Sequence, residues 1–146
     1  MSKFSIKPIA AIAAAIVLSL AIAASAATIP CVSLSASIRS GSVSGQTITV
    51  SAGAPVTFTG TASNCSTGSE TVVINYTYES TDAGACTASQ SGSLKTKLGA
   101  GDAYTKVLNY TAPSCPGTYT VTLTAVASAG SNTSSPSSTS VTLNVQ

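Results

Sequence analysis

Pro116-Gly117-Thr118-Tyr119-Thr120-Val121-Thr122-Leu123-Thr124-Ala125-Val126 alternates without a slip. Tyr119, Val121, Leu123 and Ala125 fall on one side, and Thr118, Thr120, Thr122 and Thr124 on the other. A period of two over this length predicts a half-buried β-strand. Threonine, branched at Cβ, suits the wet face of a pleated surface. Pro116-Gly117 supplies the turn that feeds the strand. The stretch reads as a central strand, and the remaining segments are placed around it.

The same period recurs on both sides. Residues 104–112 carry Leu108 and Tyr110 inward, and residues 139–145 carry Val141, Leu143 and Val145 inward. Upstream, Val72, Ile74, Tyr76 and Tyr78 share one face of residues 70–80, and Val56, Phe58, Gly60 and Ala62 one face of residues 56–62. Residues 32–38 alternate Val32, Leu34, Ala36 and Ile38 with serines, and residues 47–51 form a short further strand. Residues 92–98 make a weaker strand, placed at an edge because Lys95 and Lys97 sit on it. Residues 39–46 and 129–138 read as Ser/Gly-rich loops. Seven or eight short strands with regular turn signals and no amphipathic helix predict an all-β protein, a single Ig-like Greek-key sandwich.

The first 26 residues read as a signal peptide. Lys3 and Lys7 precede an apolar run over residues 9–23, and Ala24-Ser25-Ala26 has the small-x-small pattern of a cleavage site. A membrane anchor and a pilin-like leader are the competing readings. The first meets no basic stop-transfer residues, and the second no cleavage junction ahead of the apolar run. Residues 27–146 are then one exported domain, secreted or held at the cell surface, with no membrane association once the leader is cut.

Removing the leader changes the charge. Of the chain's six cations, Lys3 and Lys7 go with it, leaving Arg39, Lys95, Lys97 and Lys106 against Glu70, Glu79, Asp82 and Asp102. The net is zero and no basic patch remains, so no nucleic-acid partner is expected. All four cysteines lie in the exported part, and an even count behind a signal peptide predicts disulfides. No two are within four positions of each other and the chain has no histidine, which argues against zinc. In a Greek-key sandwich Cys31 and Cys65 fall at one pole, and Cys86 and Cys115 at the other. The expected bonds are Cys31–Cys65 and Cys86–Cys115.

Catalysis finds little to work with. The four carboxylates read as solvated acids at strand ends and in turns, with Asp102 a turn former in Gly99-Ala100-Gly101-Asp102. The many serines have no histidine to activate them. Glu79 and Asp82 alone supply too few oxygens for a good Ca²⁺ site. No enzyme activity and no cofactor are expected. Four Asn-x-Ser/Thr sequons are present, at Asn64, Asn75, Asn109 and Asn132. Strand phase places Asn75 and Asn109 outward, and Asn64 and Asn132 in loops, so all four are expected to be available for glycans.

Residues 56–64 (VTFTGTASN) and 113–127 (PSCPGTYTVTLTAVA) resemble the B and F strands of Ig-like and PKD-like modules in prokaryotic surface proteins. The Trp-Asp-Phe-Gly-Asp-Gly segment of the PKD family is replaced here by Val72-Val73-Ile74-Asn75-Tyr76-Thr77-Tyr78. The resemblance implies that Tyr119 pins a strand corner through its hydroxyl. A threonine-rich, charge-poor sandwich with two leading strands also looks like archaeal surface threads and related pili. That likeness implies a structural subunit of a surface filament or layer, associating with itself or with other surface proteins. Its first strand, with Val32, Leu34, Ala36 and Ile38, would be donated to a neighbouring subunit, the other reading being that the two leading strands are one split first strand of a complete domain. The alternative is a stand-alone binding or adhesion module for a protein or carbohydrate ligand.

Overall fold

The computed structural model describes residues 28–82 and 86–146. The leader expected at residues 1–26 lies outside them. Ten strands follow one another: β1 (Val32–Ser40), β2 (Val43–Gly45), β3 (Thr47–Val50), β4 (Pro55–Asn64), β5 (Glu70–Ser80), β6 (Ser89–Leu98), β7 (Ala103–Thr111), β8 (Gly117–Ala129), β9 (Asn132–Thr133) and β10 (Ser137–Val145). They form a β2-β1-β4-β7 sheet packed on a β3-β10-β8-β5-β6 sheet, with β9 paired to β8. This is the Ig-like sandwich that the alternation predicts.

β8 is central, with β10 on one side and β5 on the other: Thr122 stands opposite Ser140 and Thr77. Its threonines form the middle row of a hydroxyl-covered outer face. Its inward residues Tyr119, Val121, Leu123, Ala125 and Ala127 are buried. They meet Val56, Phe58 and Ala62 of β4 across the sandwich. One apolar cluster runs through Ile38, Ile48, Phe58, Tyr119 and Leu143. A smaller one, with Val32, Ala62, Val72 and Leu98, fills the pole where β1 begins.

Two short strands exceed the expected eight. β2 and β9 lie in the segments read as loops. Each closes a two-residue hairpin, Ser40↔Val43 around Gly41-Ser42 and Ala129↔Asn132 around Gly130-Ser131. Gly41 and Gly130 have φ of 57° and 61°, at the first central position of such turns. Only glycine enters that region without steric cost, and the primed geometry matches the twist of the flanking strands.

The two leading strands go to different sheets. β1 runs antiparallel to β4, with Ile38 opposite Phe58, whereas β3 runs parallel to β10. They are the two halves of a split first strand. Within the single chain β1 completes its own sheet. Val32, Leu34, Ala36 and Ile38 project into their own chain's core, with Val32 and Ile38 buried. The alternation that makes β1 suitable for donation suits its own sheet equally well.

Candidate functional site

The two poles are stapled. Cys31 is bonded to Cys65 and Cys86 to Cys115, with Cα separations of 5.0 and 5.4 Å. The first joins the start of β1 to the residue after β4. The second joins the segment leading into β6 to the turn before β8. Tyr119 completes that second pole: its buried hydroxyl donates to the Cys115 carbonyl at 2.9 Å, a tyrosine corner closing on the stapled turn.

At the first pole two polar residues are inside. Asn64 is only 3% exposed. Its Nδ2 donates to the carbonyls of Gly68, Leu98 and Gly99, and its Oδ1 accepts from the Ser66 amide and hydroxyl. Its amide is fully engaged, which corrects its placing in an open turn. Of the four sequons, Asn64 is the one the folded chain does not present. Asn75, on the outer face of β5, and Asn132, in β9, are exposed, as is Asn109 on β7, which accepts from the Thr57 hydroxyl at 2.8 Å.

Glu70 is 2% exposed, a second correction, since it reads from sequence as a solvated acid. Its Oε2 accepts the Cys31 amide at 3.0 Å, while Oε1 has no hydrogen-bond partner among the described residues. That bond fixes the start of β1 beside its disulfide. Asp102 does act as a turn former, its carboxylate accepting the Gly99 amide at 3.0 Å. Among the described residues no cluster of histidine, cysteine and acidic side chains has a metal-holding arrangement.

The flanks of the sandwich are unlike each other. On one, β1 packs against β10 and β3. On the other, β6 and β7 end their sheets and barely touch. Between them are two adjoining cavities of about 380 and 410 Å³. The first is walled by Phe58, Ile74, Leu94, Tyr104, Lys106 and Leu108. The second has Tyr78, Gln90, Tyr110 and Val121, and the two share Phe58, Tyr76 and Leu108. Gly92 of β6 faces Tyr76 on β5, and a Cβ there would collide with the Tyr76 ring, so the ring lies flat across the strand.

The tyrosines link this cleft to the core. Tyr78 stacks on Tyr119 with centroids 5.9 Å apart and meets Tyr110 edge-on at 6.2 Å. Burial, and to a lesser degree the neighbouring Tyr119, pushes the Tyr78 phenol up to about 12. Burial, with Tyr78 adding a smaller push, does the same to Tyr110. Both are therefore neutral donors at any physiological pH. The Tyr110 hydroxyl is buried with no partner among the described residues.

No protein-family model matches the chain, and no curated protein matches it. Among solved structures it is similar to the C-terminal domain of wzt, at 12% identity over 80% of this chain and 78% of that one, with a TM-score of 0.51. It also aligns with a PapD-like domain of human CEP192 at 11% identity and a TM-score of 0.42, over 100% of this chain and 95% of that one. The first likeness is one of fold, and the fold that it supports is the Ig-like sandwich.

Proposed function

We propose that this protein is an exported, non-enzymatic structural module of an extracellular surface layer or filament, associating with copies of itself or with other surface proteins. The observation that carries this reading is the pair of disulfides, one at each pole of a sandwich whose outer faces are rich in Ser and Thr hydroxyls. Disulfides persist in oxidising compartments. The outer face of the smaller sheet is built mainly from Ser33, Ser35 and Ser37, Thr57, Thr59 and Thr61, and Thr105 and Asn109, in register, with exposed Val107 between the last two. Cross-strand bonds such as Thr61 to Thr105 at 2.9 Å hold these hydroxyls in rows. Such a surface offers few groups that react or titrate. Sugars at Asn75, Asn109 and Asn132 would solubilise faces that carry little charge.

Because β1 completes its own sheet and is tethered by Cys31–Cys65, assembly would use faces and flanks of the folded module. The test is to recover the exported protein from its native host. Intact mass before and after deglycosylation, non-reducing electrophoresis and electron microscopy of the cell surface then report on the reading. A chain starting at Ala27, with oxidised cysteines, glycan mass and a place in a surface assembly, supports it. A reduced chain retaining residues 1–26 inside the cell overturns it.

The alternative, a stand-alone binding or adhesion module, is favoured by a different observation, the open β6–β7 cleft. Its tyrosines face inward and form no exposed platform on which a sugar ring could stack.

A further inference from the structure

We propose that the cleft between β6 and β7 binds an anionic amphiphile, with one acyl-type chain lying in the slot and its acidic head at Lys106. The inference goes beyond the structural role and stands on the cleft alone.

Shape comes first. The two cavities share walls and run along the mouth of the sandwich from Tyr104 to Tyr110. At 3.3–3.4 Å per residue that is a slot about 20 Å long. One acyl chain spans half a bilayer core, roughly 15 Å. Each cavity has the volume of a small-molecule site. The walls are mostly aliphatic and aromatic.

Charge comes second. Lys106 is in the inward phase of β7, with Tyr104, Leu108 and Tyr110, and is the sole charged residue among the cavity walls. Lys95 and Lys97 of the facing strand, β6, stand opposite Val73 and Thr71 on the outer face of that sheet and point away from the slot. No acid lines either cavity. An apolar slot with one cation in its wall and no acid complements an acid with a long apolar body. The same lysines disfavour an added strand from a second copy, because inward-pointing and edge charges are the devices that blunt sheet edges.

The experiment uses the folded exported chain with its disulfides intact. Calorimetric titration with hexadecanoate below its micelle concentration should show saturable binding of one molecule per chain. Lys106→Met should weaken it about fivefold, the scale of one solvent-facing ion pair, and leave hexadecanol binding unchanged. Leu94→Arg places a charge in the slot at a residue 38% exposed. It should abolish binding of both ligands while the variant unfolds at the temperature of the parent. Should that variant fail to fold, Lys106→Met with the hexadecanol arm still decides.

Four results overturn the proposal. They are no saturable binding of hexadecanoate, equal loss of acid and alcohol in Lys106→Met, attachment to phosphatidylglycerol vesicles without binding of the free acid, and a dimer that Leu94→Arg splits. The third would mean that the lysines of β6 and β7 respond only to a charged surface. The last would mean that a second copy fills the cleft.

Discussion

The two flanks of this sandwich are built from the same materials and end differently. At the β1 flank, Ile38 is 0% exposed and packs with Ile48, Val141 and Leu143, because β1 and the β3–β10 pair cross from opposite sheets and meet. At the β6–β7 flank the equivalent meeting does not happen, and Leu94, Leu108, Tyr76 and Tyr110 stay half-buried around a cleft. Splitting the first strand lets one segment serve both sheets and shut one side. Nothing plays that part for β6 and β7. Closure of a sandwich is therefore a matter of which strands bridge the layers, and hydrophobicity alone does not supply it.

The largest effect that probes this contrast is covalent. Cys31 and Cys65 are 34 residues apart, Cys86 and Cys115 29. Loop-closure entropy puts both bonds at about 3 to 4 kcal/mol, nearly equal. What each holds is unequal. Replacing Cys31 and Cys65 by alanine should release the β1 start and raise hydrogen exchange through β1 and β4. Replacing Cys86 and Cys115 should raise it in β6. Denaturant unfolding gives the energies and exchange the location, and loss of β1 protection in both variants would erase the distinction between flanks.

Next is packing. Ile38→Ala should cost about 3 kcal/mol, since a fully buried side chain leaves a cavity behind. Leu94→Ala should cost less than about 1 kcal/mol, because much of that side chain is already in water. Equal losses in urea melts would mean that the β6–β7 flank is as tightly closed as the other.

The alternation in the sequence carries nearly all of the architecture. It places β8 in the centre, β6 at an edge and the four cysteines at two poles. What it yields less readily is the role of a polar residue in the inward phase. Asn64 continues Val56, Phe58, Gly60 and Ala62, Glu70 precedes Val72 and Ile74, and Lys106 falls between Tyr104 and Leu108. Parity alone puts all three inside, yet hydropathy reads them as loop or surface groups. The deciding facts are distant carbonyls and amides, those of Leu98 and Gly99 for Asn64 and of Cys31 for Glu70, which no local pattern reveals. The hairpins at Gly41 and Gly130 do have a local sign, a Gly-Ser pair between strand-like segments, obscured by the serine-rich context. The cleft has none, because it depends on how far two edge strands stand apart.

A smaller effect tests the corner that anchors the aromatic chain. Tyr119→Phe removes the hydroxyl that reaches Cys115 and should cost about 1 kcal/mol. Tyr78 would keep its stacking partner, so the ring geometry and the cleft should persist. A loss several times larger would show that the corner governs the β6–β7 flank as well as its own turn.

The smallest effect is read by alkaline titration. Tyr78 and Tyr110 have their phenols raised to about 12 by burial in the cleft wall. A folded-state value above the unfolded one of about 10 means that the associated stability is intact below pH 10 and is lost as the pH climbs toward 12. Phenolate absorbance should therefore show two late tyrosines, and unfolding should accompany them. Tyr110→Phe should remove one late titration. An amphiphile lodged in the slot should delay the remaining one further, since it excludes more water from Tyr78. If both phenols titrate near 10 with the fold intact, the cleft is wetter than its walls imply, and the two flanks differ more than the geometry alone suggests.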